Sequence, residues 1–303
     1  MEFIIPPEYD GSLLREFLRG LPFISGGILT QLKRTENGIT VNGEQKTVRY
    51  KLSAGDVVRL RLDAPGKTDV EPVDIPLDII YEDDDMIAVN KPSGMPTHTS
   101  HNHHYDTLSN ALAYYYRDRD FVFRAVNRLD NPTSGVVLVA KNRPAAYMLA
   151  DQFFRKQAEK VYCAVCHGFP EPESGTVSKS IRRQAESVII RSVCDDGDGR
   201  ACVTDYATEK KAVLRGEKIS LIRLLPHTGR THQIRLHMAY IGVPVVGDDL
   251  YGDGYDAGLG RLALHAASLR IKRCSDGNNI LLEAPIPKEF TDLFYEQKDN
   301  RQT

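Results

Sequence analysis

The chain has 303 residues, 41% hydrophobic and 26% charged, an ordinary globular composition whose length suggests about two domains. A formal net charge of −2 excludes a polyanion-binding surface spread over the whole molecule, so any nucleic-acid contact has to be local. The opening MEFIIPPEYD interrupts its apolar run at Pro6 and Pro7, and no later stretch approaches the roughly 18 apolar residues of a membrane helix; a soluble, cytoplasmic protein without signal peptide is expected.

In SLLREFLRGL, Leu13, Leu14, Phe17, Leu18 and Leu21 recur at helical spacing and predict an amphipathic helix capped by Ser12. After Ser25, Gly26 and Gly27, ILTQLKR predicts a second helix ending near Asn37 and Gly38. ITVNGE, KLSAGD and VVRLRL read as short strands and turns. Residues 1–62 thus form a compact helix-helix-strand unit. Below about 70 residues its core is thin, so it is expected to lean on RNA or on the rest of the chain. Residues 63–76, DAPGKTDVEPVDIP, carry Pro and Asp without periodicity and read as a linker.

Residues 77–295 form the second predicted domain. IIYEDDDMIAVNK gives two short strands around an acidic turn, DTLSNALAYYY a helix capped by Asp106, and GVVLVAKN and KVYCAVCHG β-rich runs flanking the helical NRPAAYMLADQFFRKQ. The remainder mixes strand and helix without regular βαβ alternation, which predicts an α+β domain with a mostly antiparallel sheet.

Five cysteines at irregular spacing argue against a disulfide framework. Cys163 and Cys166 form a CxxC on an expected strand, where residues three apart face opposite ways; buried thiols are the preferred reading. His98, His101, His103 and His104 crowd together, and His227, His232 and His237 recur every five residues. That interval does not align two ligands on one helical face, and no HExxH accompanies it, so no metal is expected. Two basic stretches qualify for local RNA contact: one near the N-terminus, including Lys33 and Arg34, and one from Lys210 to Arg235.

FRAVNRLDNPTSGVVLVAKN sets Arg128, Leu129 and Asp130 just before a Pro-Thr-Ser-Gly turn that enters an apolar strand. An Asp in that place is commonly a turn-maker whose carboxylate caps neighbouring amides. A carboxylate on a loop fixed by a following strand, with an arginine two residues away, also has the position of a functional group on a rigid scaffold.

NRLDNPTSGVVLVAKN resembles the signature of the RluA-type pseudouridine synthases, roughly HRLDxxTSGLLLLAK. YEDDDMIAVNKPSGMPTH, KVYCAVCHG, LLPHTGRTHQIRLHMAYIGVPVVGDDLYG and LALHAASLRI resemble that family's further motifs in the same order, from about Ile79 to about Pro287. The N-terminal unit resembles the αL RNA-binding motif, with Ser25, Gly26 and Gly27 replacing the usual Ser-Arg. The resemblance implies that Asp130 is a nucleophile attacking the target uridine, at the anomeric carbon or at ring carbon 6. It implies that Arg235 is the arginine paired with that carboxylate; a cation within about 4–6 Å lowers a carboxylate pKa by roughly one to three. Tyr162 would stack on the target base and help handle a proton at carbon 5. Arg128 would fill the space a flipped uridine leaves, and Ile234 would wall the base pocket. Lys91, Arg230 and His232, with Lys33 and Arg34 of the N-terminal module, would meet RNA. Asn127 stands where the consensus has His, which argues against a necessary acid-base role there. No cofactor or metal is implied; the partner is RNA, ribosomal before transfer RNA, and the default assembly is a monomer.

Two other classes make different predictions. A non-catalytic RNA-binding platform predicts loss of Asp130, Tyr162 or Arg235, and all three are present. A metal-dependent RNA hydrolase built on the histidines predicts bound zinc.

Overall fold

The computed structural model describes residues 2–21, 24, 26–61, 70–100, 102–184, 190–194 and 199–295. Ser25, the end of the first unit at Leu62, linker residues 63–69 and His101 lie outside that set.

β1 (Glu2–Ile4), α1 (Leu14–Gly20), α2 (Gly26–Arg34), β2 (Ile39–Val41), β3 (Glu44–Gln45) and β4 (Val57–Leu60) come first, the strands forming an antiparallel sheet in the order β1-β4-β2-β3. Leu14, Phe17 and Leu18 of α1 meet Leu29 and Leu32 of α2 over Ile39, Val41, Val58 and Leu60, so the helical and strand periodicities converge on one small core. The cap of α1 is Leu13 rather than Ser12. Its backbone N–H donates to Glu16 Oε2 at 3.1 Å, so an acidic side chain in the first turn satisfies the cap residue's own donor. β1 was not anticipated; three residues are too few to show a period. Its Phe3 ring packs edge-on against Phe17, at 5.8 Å between centroids, and against Tyr147 from the rest of the chain at 5.4 Å.

The remaining elements are β5 (Ile79–Glu82), β6 (Met86–Lys91), α3 (Leu108–Tyr115), β7 (Ser134–Ala140), α4 (Arg143–Phe154), β8 (Glu159–His167), β9 (Ser174–Ser178), β10 (Ser180–Arg183), β11 (Arg191–Cys194), β12 (Val203–Leu214), β13 (Glu217–Pro226), α5 (Gln233–Tyr240), β14 (Leu264–Lys272), β15 (Asn279–Glu283) and α6 (Lys288–Asp292). Nine strands make one sheet ordered β5-β6-β7-β14-β8-β13-β12-β9, with β15 on β14; β10 and β11 form a separate hairpin. Every pairing in the large sheet is antiparallel except β7 with β14, which run parallel across His265↔Ser134 and Ala266↔Gly135. The fold is α+β with a mostly antiparallel sheet.

β7 is buried along its whole length because it is covered on both faces, which is why its sequence is continuously apolar rather than alternating. Val137 and Val139 pack with Leu108 and Leu112 of α3, and Val136 and Leu138 with Ala145 and Leu149 of α4. Where β7 meets β14 only glycine fits: Gly135 has φ +112°, and a Cβ there would stand 2.2 Å from the Ala266 carbonyl oxygen. The cap of α3 is Thr107 rather than Asp106. Thr107 Oγ1 accepts from the Asn110 N–H at 3.3 Å and Asn110 Oδ1 from the Thr107 N–H at 3.2 Å, while Asp106 pairs with His103 at 2.6 Å. Cys163 and Cys166 are free and buried in β8.

Candidate active site

β7 starts at the centre of the large sheet, and residues 127–133 lead into it. Asn127 fixes the approach: its Nδ2 donates to the Val136 carbonyl at 3.1 Å and its Oδ1 accepts from the Leu138 N–H at 2.8 Å, so the side-chain amide acts as an extra strand partner for β7. Leu129 is anchored in the core. The segment after β6 holds the next turn, through Thr97 Oγ1 to the Leu129 carbonyl at 3.3 Å, the Gly94 N–H to the Asn131 carbonyl at 3.0 Å and Ser93 Oγ to the Pro132 carbonyl at 2.7 Å. The Thr133 N–H closes the turn on the Asp130 carbonyl at 3.0 Å.

This scaffold leaves the Asp130 side chain over. Its backbone makes the turn, yet among the described residues no hydrogen bond or ion pair is made by its carboxylate, which is half-buried in a cleft of about 730 Å³. The capping role open to an aspartate in such a turn is therefore not the one it has.

The cleft brings together Arg128 and Asp130 before β7, Lys160 and Tyr162 on β8, and Arg230, His232, Ile234 and Arg235 at the start of α5, with residues 96–100 after β6 also in its lining. Gln233 braces the stretch at the start of α5. Its Oε1 accepts from Thr228 Oγ1 at 2.6 Å and from the Arg230 N–H at 3.1 Å, and its Nε2 donates to Thr204 Oγ1 at 2.9 Å and to the Val203 carbonyl at 3.0 Å. His232 has a left-handed backbone, φ 58°, a conformation uncommon outside glycine, and its Nδ1 lies 2.8 Å from the Tyr251 hydroxyl. Burial, aided by the Arg235 charge and opposed by Asp130, pulls its pKa below the ordinary histidine value. Burial first and the Asp130 charge second push the Tyr162 phenol up, keeping it protonated.

Two expectations are corrected here. Lys91 does not offer its ammonium to RNA. The side chain is fully buried and donates to the carbonyls of Met95 at 2.7 Å, Pro92 at 2.9 Å and Asn131 at 3.2 Å, so it ties the two loops together beneath Asp130. Burial pulls its pKa down to about 7 against the attraction of Asp130. Arg235, 2% exposed, spends its hydrogen bonds elsewhere than on Asp130: Nε donates to Asp248 Oδ2 at 2.7 Å, and one terminal nitrogen to Asp248 Oδ1 and, at 3.0 Å, to Asp249. Its charge still acts on Asp130 through space. The acidic partner lay in the quoted VGDDLYG, but a bidentate pairing between a helix and a later turn leaves no mark in the linear pattern. Lys33 and Arg34 are exposed at the end of α2, away from the cleft lining.

Sequence reasoning missed the structural tasks of Asn127, Gln233 and Asp248; only at Asn127, a departure from the resembled motif, was there a signal. Among the described residues no group of three or more His, Cys, Asp or Glu is placed to hold a metal ion, and no helix is long and apolar enough to cross a membrane.

Residues 85–240 match the family model described as RNA pseudouridylate synthase. The ribosomal large subunit pseudouridine synthase C of Rickettsia felis is 33% identical over 94% of this chain and 96% of its own length. The ribosomal large subunit pseudouridine synthase D of Haemophilus ducreyi is 33% identical over 88% and 83%. Among solved structures, human RNA pseudouridylate synthase domain containing 1 superposes with a TM-score of 0.60 at 30% identity, covering 70% of this chain and 84% of that one. A cleft around an unpaired aspartate and these likenesses over most of the chain converge: the protein belongs to the RluA-type RNA pseudouridine synthases and is an isomerase of uridine in RNA.

Proposed function

We propose that Asp130 is the nucleophile of this synthase and that its substrate is large-subunit ribosomal RNA. One observation carries the first part: Asp130 alone of the cleft residues is a carboxylate, it is rigidly presented, and all its lone pairs are available. A carboxylate nucleophile needs a lone pair open to the substrate and a backbone that other groups hold in place. The hydrogen bonds of residues 127, 129, 131 and 132 meet that second requirement here.

In this reading a flipped uridine enters the cleft and the Asp130 carboxylate bonds to it covalently. The glycosidic bond breaks, the uracil turns, and its carbon 5 joins the ribose; the bond to Asp130 is broken again, carbon 5 gives up its proton and the freed ring nitrogen takes one, so no atom is added or lost. Tyr162, whose phenol burial and the Asp130 charge push up, offers its ring as a stacking face beside the proton at carbon 5. Ile234, 6% exposed, gives the base an apolar wall. Arg128 is exposed at the cleft and suits the stack the uridine vacates. Arg235, held by Asp248 and Asp249 through Nε and one terminal nitrogen, contributes a fixed positive field to the cleft.

The substrate is argued from the relatives named for the large ribosomal subunit and from the N-terminal unit. We read residues 1–62 as an αL-type RNA-binding module carrying Lys33 and Arg34, residues 63–76 as linker and residues 77–295 as the catalytic domain of a cytoplasmic monomer. The test is tritium release from large-subunit rRNA and tRNA transcripts labelled at uridine carbon 5, with wild type and Asp130→Asn compared. Release from rRNA by wild type alone is the expected result. Equal release by Asp130→Asn overturns the nucleophile, and release confined to tRNA overturns the substrate.

A further inference from the structure

Lys160 lies two residues before Tyr162 on β8, so both side chains leave the strand on one face and both line the cleft. Its ammonium donates to the Thr228 carbonyl at 2.9 Å and stands over Gly229, where a side-chain methyl would sit 3.8 Å from the nitrogen. An ammonium has three donors, and this bond uses one.

Among the described residues no carboxylate pairs with Lys160: the adjacent Glu159 is engaged by Arg270 at 3.2 Å, and Asp130 is not among the charges that act on it. Burial alone pulls its pKa to about 8, so at neutral pH it is still mostly a cation. A cation withdrawn from water without a counter-charge is costly, and a protein that keeps one beside its reaction cleft leaves that charge to be met by a ligand. Lys91, behind the cleft lining, shows the contrast, with three carbonyl acceptors and no exposure. Uridine itself is neutral at this pH. The anions an RNA substrate brings are its backbone phosphates, which a lysine meets as a compact point charge.

We propose that Lys160 is a substrate-binding residue that takes an RNA backbone phosphate flanking the flipped uridine, fixing that nucleotide beside Tyr162 and Asp130. The proposal rests on the reading of the cleft around Asp130 given above. It also assigns the Thr228 carbonyl a purpose: it holds the ammonium at the edge of the cleft before RNA arrives, so little side-chain freedom remains to be lost on binding.

The test uses the full-length protein and a synthetic RNA hairpin spanning the uridine that wild type converts in large-subunit transcripts. The phosphate 5′ or 3′ of that uridine is native or an uncharged methylphosphonate. Wild type, Lys160→Met and Lys160→Arg are compared for KM and kcat. Lys160→Met is expected to raise KM roughly 10- to 100-fold, the scale of a lost hydrogen bond to a charged group, with kcat changed much less, and Lys160→Arg to recover most of the loss. One of the two methylphosphonates should weaken wild type to a similar degree and leave Lys160→Met no worse. An unchanged KM in Lys160→Met overturns the proposal. So does a methylphosphonate penalty as large in Lys160→Met as in wild type, since Lys160 would then only brace the Thr228 loop. A wild type that converts no uridine, or an active Asp130→Asn, defeats instead the reading on which the proposal rests.

Discussion

Two aspartates act on the same arginine and have opposite environments. Asp248 is fully buried and saturated, taking Arg235 through both oxygens and the N–H groups of Leu250 and Tyr251 at 3.0 Å each. Burial by itself would raise its pKa, but Arg235 and the two amides hold it below the ordinary carboxylate range. Asp130 is half-buried and makes no side-chain hydrogen bond among the described residues. The difference separates a structural carboxylate from one available for chemistry: the first takes four donors from the fold, the second has its backbone committed and its side chain free. Substitution should therefore split the two, one losing activity and the other stability.

The largest effect is expected at Asp130. Asp130→Asn should lower tritium release by on the order of 10⁴- to 10⁶-fold, the scale on which a catalytic nucleophile is missed. The urea midpoint should stay near that of wild type, because no side-chain hydrogen bond is lost. A midpoint that falls with the activity would mean that Asp130 is holding the loop after all.

Asp248→Asn should show the reverse order of effects. Removing the negative partner strands a buried guanidinium and is expected to cost roughly 3–5 kcal/mol of stability, read as a lower urea midpoint. Activity per folded molecule should fall less than in Asp130→Asn, since Arg235 keeps Asp249 as a partner at 3.0 Å. Asn127→Ala comes next. It leaves the Val136 carbonyl and the Leu138 N–H without their side-chain partner, a loss of about 1–3 kcal/mol, together with a lower kcat from a looser Asp130 turn. A normal kcat beside a lowered midpoint would limit Asn127 to supporting β7.

Much of this arrangement could be read from the sequence, and the unread parts have a common cause. The α+β class and its antiparallel sheet followed from periodicity and the absence of βαβ alternation, as the strand order bears out. The stretches holding Asp130, Tyr162, Ile234 and Arg235 could be picked out along the chain, and β7, β8 and α5 bring them to one cleft. What failed depended on partners far apart in sequence. Lys91 read as a surface cation because lysines almost always are, yet loops 92–96 and 129–133 fold around it. Arg235 is paired with Asp130 by the resemblance of its motif, but a motif does not show which carboxylate meets the guanidinium with bidentate geometry, and here it is Asp248. The caps of α1 and α3 were displaced by one residue, a choice made by local hydrogen bonding that propensity does not resolve.

Lys91 also offers the smallest and most specific test, because its charge has the history of neither aspartate. Its pKa falls from an ordinary value of 10.5 to about 7 in the folded protein, mainly through burial. In the unfolded chain the amine is protonated up to about 10.5, so between the two values the unfolded state binds more protons and stability rises with pH. The destabilisation is complete below about 7 and absent above about 10.5. Lys91→Met removes this titration and adds a loss of three carbonyl contacts that does not vary with pH. Urea midpoints of the two proteins between pH 7 and 9 should therefore diverge in favour of wild type, by at most about 1.4 kcal/mol per pH unit. A constant difference over that range would mean that the carbonyl cage keeps Lys91 protonated, and Asp130 would then lie near a permanent buried cation rather than a group that gives up its charge through that range.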